Sequence, residues 1–105
     1  DLCVAHCTPF RGPSMDVGTA VEIGSMSAQG KCVWGYTHVT STYAERVTCG
    51  DGLAVESFGM ADNLMVEGVI EASGGRLIRG EAPPAERYTW LAVFEACVHQ
   101  LASSA

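Results

Sequence analysis

The stretch that decides the fold covers residues 2–36, which read LCVAHCTPFRGPSMDVGTAVEIGSMSAQGKCVWGY in one-letter code. It opens with a short apolar run, Leu2–Cys7, of the kind that forms a strand buried on both faces of a parallel sheet. Two prolines and a glycine within residues 8–16 predict a loop, and Asp16 at its end is a good helix N-cap. The loop therefore leads from a strand into a helix.

The helix that follows and the strand after it complete one β-α-β unit. Apolar positions recur at helical spacing through Val17–Gln29, and Gly30 supplies the usual C-terminal stop. Lys31–Tyr36 is the next strand, and a strand reached through a crossover helix normally lies parallel to the strand before it. This part of the chain thus predicts a parallel sheet.

The middle of the chain predicts a long connection and then a second helix. Residues 37–59 are polar and rich in glycine, with a short helical stretch at Tyr43–Val47. A connection of this length is typical of an active site or an interface. Helical spacing then resumes over Ala61–Ala72, with Asp62 as a possible cap and Gly74-Gly75 as the stop.

A short strand and the most regular helical pattern of the chain complete the order of elements. Arg76–Arg79 is expected to form an edge strand. Apolar positions recur at helical spacing from Tyr88 to Leu101, and Pro84 suits the first turn of that helix. The alternation of strands and helices predicts a doubly wound α/β fold of flavodoxin or Rossmann type, with a parallel sheet flanked by helices.

Length and charge limit the classes of protein to which the chain can belong. Its 105 residues suit one domain, residues 1–105, and its net charge of −6 offers no basic surface for a nucleic acid. No apolar stretch reaches the ~20 residues that a membrane span needs. We therefore expect a soluble, cytoplasmic protein that binds neither nucleic acid nor membrane.

Because the chain opens at Asp1, directly before an apolar strand, we also expect the domain to be incomplete at its N-terminus.

The cysteines and histidines suggest neither a disulfide framework nor a metal site. The five cysteines contain no CxxC pair and are odd in number, which favours small buried side chains over pairing. The histidines lack the spacing of metal ligands. The residues concerned are Cys3, Cys7, Cys32, Cys49 and Cys97, with His6, His38 and His99.

Two acidic residues at the opening of the first helix are the candidates for catalytic chemistry. Asp16, still in the loop, can lean over the start of the helix while Glu22 rises from its second turn into the same crevice. Gly18 lies one turn before Glu22 and leaves space above its carboxylate, and Thr19 offers a hydroxyl. A carboxylate held near a helix N-terminus stays ionised and can attack an electrophilic carbon. The same spacing is also typical of a plain N-cap followed by a surface charge.

Two motifs occur in the order found in a known enzyme family. Residues 8–24 read TPFRGPSMDVGTAVEIG and are followed by Gly30-Lys31 at the entry of a strand. Phe58-Gly59 is then followed by Asn63-Leu64-Met65. Over residues 1–72 the chain resembles the nucleoside 2-deoxyribosyltransferase family, whose members carry a PFRG loop, a D-x-G-T-x-x-E-x-G helix start and an FG…NLM segment.

The resemblance implies a covalent mechanism. Glu22 would correspond to the nucleophile that attacks C1′ of a 2′-deoxynucleoside, expels the base and holds deoxyribose as a glycosyl-enzyme until a second base takes the sugar. Asp16 would bind sugar hydroxyls and orient Glu22. Asn63 and Met65 would reach into the pocket of a neighbouring subunit, so the resemblance implies a homo-oligomer.

The PFRG loop would supply further contacts to the substrate. Phe10 could close over the base, Arg11 could hold the loop or a substrate group, and Gly12 belongs to the same substrate-binding motif. His6 stands where relatives usually have Asn. The first strand and the base-receiving loop of family members do not occur in these residues, so the sequence leaves open the preference for purines or pyrimidines.

The expected function is the transfer of 2-deoxyribose between nucleobases in deoxynucleoside salvage. Its partners would be a deoxynucleoside and a free nucleobase, and a carboxylate nucleophile needs no cofactor or metal. Two alternatives stay open: hydrolysis of the N-glycosidic bond of deoxynucleosides or their 5′-monophosphates, and a non-catalytic nucleotide-binding or interaction domain. Asp16 favours the free nucleoside over the monophosphate, because its charge would repel a phosphate.

Overall fold

A computed structural model describes residues 1–48 and 50–104 of the chain. The sheet has the order β1-β2-β3 and both of its strand pairs are parallel. A turn of 3-10 helix precedes the last α-helix. The elements are β1 (Leu2–His6), α1 (Val17–Ala28), β2 (Cys32–Thr37), α2 (Tyr43–Arg46), α3 (Leu64–Ala72), β3 (Leu77–Arg79), the 3-10 turn Pro84–Glu86 and α4 (Ala92–Ser103).

The helices cover both faces of the sheet. On one face α1 and α3 pack over a buried cluster that includes Ala5, Ile23, Val33 and Ile70. On the other face α4 packs on β2 and β3 with Val93 and Cys97 buried, and the ring of its Phe94 stands edge-on to Tyr36 at 5.5 Å. Because successive side chains of a strand alternate between faces, Val33 and Tyr36 of β2 serve opposite layers. The predicted doubly wound parallel α/β fold is confirmed.

The register of the strands brings polar and aromatic side chains together at one edge. His6 at the end of β1 lies opposite Tyr36 of β2. Their rings stack with centroids 4.6 Å apart and planes only 15° from parallel. Ligands of open parallel sheets bind outside the carboxyl ends of the strands, which is where this pair stands.

The second long helix begins later than the sequence indicated. It starts at Leu64 with Asn63 as its N-cap, whose side-chain oxygen accepts the Met65 N–H at 2.9 Å, and not at Ala61 with Asp62 as the cap. Both residue types cap helices well. Asp62 is instead buried and accepts the N–H of Met15, 47 residues away in sequence. A tertiary contact therefore decided which residue became the cap.

The last helix is also shorter than its apolar spacing predicted. Pro84 starts only a 3-10 turn, and α4 begins at Ala92, so Tyr88 lies outside the helix. The carbonyl of Arg87 accepts a hydrogen bond from Nδ1 of buried His38, and the Tyr88 hydroxyl donates to the Pro9 carbonyl at 2.9 Å. These two bonds hold the segment against the end of the sheet.

The cysteines are partly as expected from the sequence. Cys7 and Cys97 are buried, whereas Cys3 and Cys32 are only partly covered. Cys49 lies outside the described residues.

Within the described part of the chain, no helix combines the length and apolar character that a membrane crossing requires.

Candidate active site

A cavity of about 200 Å³ opens at the carboxyl end of β1. One side of it is polar, with a carboxylate and hydroxyl groups, and the other side is aromatic. A larger open groove of about 680 Å³ lies near the amino ends of β1 and β2, but none of the predicted site residues lines it. The lining of the smaller cavity consists of His6, Thr8, Phe10, Asp16, Thr19 and Tyr88.

Asp16 supplies the carboxylate of this cavity and is the N-cap of α1. Its Oδ2 accepts the backbone N–H of Thr19 at 3.1 Å and the Thr19 hydroxyl at 3.4 Å. A Cβ added to Gly18 would stand 3.0 Å from the same oxygen, so the carboxylate leans over the start of the helix in the room that this glycine leaves. The positive end of the helix dipole stabilises a negative charge in that position.

Glu22 lies one helical turn beyond Thr19 and does not line the cavity. Its side chain is exposed, and within residues 1–48 and 50–104 its carboxylate has no hydrogen bond or ion pair. Burial, and after it the negative charge of Glu22, raises the pKa of the Cys3 thiol in β1. The chain thus brings Asp16 and Thr19 into the cavity, whereas Glu22, expected in the same crevice, lies outside it.

The loop before α1 holds Phe10 and Arg11 in a defined arrangement. The Phe10 N–H donates to the Ser14 carbonyl at 2.9 Å, which closes the loop around Gly12. Arg11 has a φ of 57°, an uncommon value for a residue with a side chain. Its guanidinium carbon lies 5.0 Å from the centre of the Phe10 ring, a cation–π contact. Phe10 lines the cavity, whereas Arg11 and Gly12 lie outside its lining.

His6 lines the cavity beside the aromatic ring of Tyr88. Its Nε2 shares a hydrogen bond of 2.7 Å with the Thr8 hydroxyl, and that hydroxyl oxygen also accepts the backbone N–H of His38 at 3.0 Å. Burial, and after it the neighbouring His38, lowers the pKa of His6. The ring is therefore biased towards its neutral form, which can both donate and accept a hydrogen bond.

Acidification is expected to destabilise the protein through His6. Because its pKa in the folded state lies below the unfolded value of 6.5, the stability that the neutral ring contributes is complete above about pH 6.5. It is lost as the pH falls through the folded-state pKa. Urea unfolding of the wild type and of His6→Gln, from about pH 8 to about pH 5, measures the difference. The same pH slope in both proteins would contradict this prediction.

Asn63 and Met65 lie at the start of α3, outside the cavity of their own chain. Asn63 uses its side-chain oxygen in the cap, and Met65 is 68 % exposed. Their position is set by Asp62, whose Oδ2 accepts the Met15 N–H and whose Oδ1 accepts the Asn63 N–H, each at 2.7 Å. One buried carboxylate therefore joins the start of α3 to the residue that precedes Asp16.

Arg46 strengthens the same connection and was not found by sequence reasoning. Its Nε donates to the Pro13 carbonyl at 2.9 Å, and its other nitrogens donate to the carbonyls of Ser41 and Ala61. The loop that leads to α1, the segment before α2 and the segment before α3 thus meet at one guanidinium. Nothing in the local sequence marks this residue, because its partners are backbone carbonyls and two of them, Pro13 and Ala61, lie 33 and 15 residues away.

The aromatic side of the cavity also contains a residue that helical periodicity had assigned to the last helix. Tyr88 lines the cavity, with its ring perpendicular to Phe10 at 6.1 Å. The run Tyr88-Thr89-Trp90 of aromatic and β-branched residues forms helices poorly and could have signalled the interruption.

Across the part of the chain that the structure describes, no three His, Cys, Asp or Glu side chains come together as a metal site.

Comparison with known proteins finds similarity over this same region. The family model for nucleoside 2-deoxyribosyltransferase matches residues 1–65, which include every site residue predicted from the sequence. The chain is 39 % identical over 92 residues to an uncharacterized protein of Schizosaccharomyces pombe, and the match covers 64 % of this chain and 44 % of that protein. This chain thus matches less than half the length of that relative. No solved structure matches the chain significantly.

Proposed function

Because the chain belongs to the nucleoside 2-deoxyribosyltransferase family, we propose that it transfers 2-deoxyribose between nucleobases through a covalent bond to Glu22. The observation that carries the proposal is the geometry at the start of α1. Asp16 and Thr19 line a cavity at the carboxyl end of β1, and the same helix carries Glu22 one turn further on. In this proposal the first two residues hold the sugar with its C1′ directed towards that turn.

The reaction proceeds in two displacements at one carbon. A carboxylate oxygen of Glu22 bonds to C1′ of a 2′-deoxynucleoside while the C1′–N bond breaks, and the base leaves with the bonding electron pair and takes up a proton. A nitrogen of a second base then bonds to C1′ as the C1′–O bond to Glu22 breaks, and that base loses a proton. Each displacement inverts the carbon, so the product retains the β configuration.

Asp16 binds the sugar in this proposal. A carboxylate accepts hydrogen bonds from hydroxyl groups, and the exposed face of Asp16 is directed into the cavity. The same charge disfavours a 5′-phosphate, because two anions a few ångströms apart repel each other. The donor is therefore a free deoxynucleoside, the acceptor a free nucleobase and the physiological role deoxynucleoside salvage in the cytoplasm.

A second copy of the chain completes the site in this proposal. Val21 directly precedes Glu22 on α1 and, like Val17 one turn earlier, is exposed, and Met65 stands exposed at the start of α3. Apolar side chains beside a reactive carboxylate are typical of a surface that a partner covers. Asn63 and Met65 of one subunit then close the open side of Glu22 in its neighbour and exclude water from the glycosyl-enzyme.

Covalent trapping tests the proposal. A 2′-deoxy-2′-fluoro nucleoside slows the second displacement, so incubation with the 105-residue chain is expected to add the mass of one fluorinated sugar to the peptide that contains Glu22. Mass spectrometry of the digested protein locates the adduct. Binding of the analogue without an adduct would instead support the non-catalytic alternative, and faster turnover of a deoxynucleoside 5′-monophosphate than of the free nucleoside would support the hydrolase alternative.

A further inference from the structure

The aromatic wall of the cavity comes from a part of the chain that follows the matched residues 1–65. Tyr88 lies between the 3-10 turn at Pro84–Glu86 and the start of α4. Its hydroxyl donates a hydrogen bond of 2.9 Å to the carbonyl of Pro9, the residue between Thr8 and Phe10, which both line the cavity. The side chain therefore bridges the cavity mouth and the PFRG loop.

The backbone around Tyr88 is fixed on both sides. Nδ1 of buried His38 donates to the carbonyl of Arg87, the residue directly before Tyr88. Two residues further on, the ring of Trp90 lies 6.1 Å from the ring of His38, and the backbone N–H of Trp90 donates to the Glu86 carbonyl at 3.0 Å. The aromatic wall is thus tethered at its backbone and at its hydroxyl, and it cannot withdraw to admit a larger ligand without breaking these bonds.

The ring of Tyr88 faces the cavity with two aromatic neighbours. It stands perpendicular to Phe10 at 6.1 Å and tilted to His6 at 6.5 Å, and half of its surface is exposed. Aromatic faces and edges of this kind pack well against planar bases. The carboxylate and hydroxyl of Asp16 and Thr19 form the opposite, polar side. This division between apolar and polar walls fits the two parts of a nucleoside.

The cavity is small for such a ligand. Its volume of about 200 Å³ lies below the 300–1,000 Å³ that is usual for pockets enclosing a whole small molecule. The cavity has to hold a sugar and a base together, and a fused two-ring base takes up more volume than a single six-membered ring. Because the tether keeps Tyr88 in place, a base that enters between Tyr88, Phe10 and His6 meets a fixed ring, and a fused second ring has to extend towards the open side of the cavity.

We propose that Tyr88 is a specificity-determining residue that limits the size of the nucleobase and makes this chain prefer pyrimidine over purine deoxynucleosides. This inference rests on the proposed function for its kinetic consequences. The predicted effect on binding of a free base does not depend on the proposed function, because a pocket selects a base by its shape whether or not sugar transfer follows. The two can therefore be tested separately.

The experiment compares Tyr88→Ala and Tyr88→Phe with the wild-type chain. The kcat/KM values for thymidine and deoxyadenosine are measured as donors, and equilibrium binding of free thymine and adenine is measured by calorimetry. Tyr88→Ala is expected to raise the purine-to-pyrimidine ratio of kcat/KM about tenfold or more, since one carbon group in an apolar pocket changes discrimination by that much. Tyr88→Phe keeps the ring and is expected to keep the ratio, with a higher KM because the Pro9 loop is released.

Two further variants keep the result interpretable. Tyr43→Ala removes a half-buried tyrosine that does not line this cavity and is expected to leave both ratios unchanged. Tyr88→Trp enlarges the wall and is expected to lower adenine binding relative to thymine, which provides the test if Tyr88→Ala fails to fold. An unchanged adenine-to-thymine binding ratio in Tyr88→Ala, or in Tyr88→Trp where that is the folded variant, would overturn the inference. Changed base binding without any sugar transfer would support it while rejecting the proposed function.

Discussion

Replacing Glu22 by Gln is expected to lower sugar transfer by about a thousandfold or more and to abolish the fluorosugar adduct. The amide has nearly the shape of the carboxylate but is a far poorer nucleophile towards C1′. The substitution should leave the fold intact, because the side chain is exposed and surface changes of this kind usually alter stability by no more than about 0.5 kcal/mol. Steady-state transfer between two bases, together with mass spectrometry, measures both effects.

The matched control for this variant is Glu71→Gln. Glu71 is also an exposed glutamate in a helix, α3, and lies outside the cavity. The Glu71→Gln variant should transfer sugar at the wild-type rate. Activity of Glu22→Gln within tenfold of that control would contradict the nucleophilic role and would move attention to Asp16, the acid that does line the cavity.

The fold was largely predictable because its opening unit is specified locally. Residues 2–5 of β1 form a continuous apolar run, and α1 has a strong cap in Asp16 and a glycine, Gly30, directly after its C-cap Gln29. These signals lie within a few residues of the elements that they bound. The boundaries that were wrong, at Asp62 and Pro84, depend on hydrogen bonds to Met15 and Pro9, which are far away in sequence. Local propensity cannot distinguish two adjacent capping residues when a distant N–H selects between them.

The site was predictable only in the part that lies on α1. The cap position of Asp16 follows from its place before the helix, and the structure shows its carboxylate over Gly18. Tyr88 could not be assigned to the cavity, because its helical spacing with later apolar residues matched a longer helix. The tethers to Pro9 and His38 that interrupt this helix exist only in the folded chain. The walls of the cavity are thus a tertiary property, whereas the cap position of Asp16 is a property of the local sequence.

Replacing Asp62 by Ala is expected to lower the free energy of unfolding by about 3–5 kcal/mol. Asp62 is 1 % exposed, and its carboxylate accepts the buried N–H of Met15 and the partly buried N–H of Asn63, so its removal takes the protein partner from both donors. Each such donor costs about 1–3 kcal/mol where it is buried. Arg46 also loses a nearby negative charge, which adds to the cost of its partial burial. Urea denaturation followed by circular dichroism measures the change.

The same variant tests how the two ends of the proposed site are coupled. Asp62 joins the residue before Asp16 to the residue that caps α3, so its loss should free both the carboxylate that we propose to bind the sugar and the start of the helix that carries Met65. In the folded fraction we expect a higher KM for the donor and weaker self-association, whereas Glu71→Ala should change neither. A stability loss below about 1 kcal/mol, the usual net value of one hydrogen bond, would mean that water replaces the carboxylate. Unchanged KM and association despite a large stability loss would show that Asp62 supports the fold without positioning Asp16 or Met65.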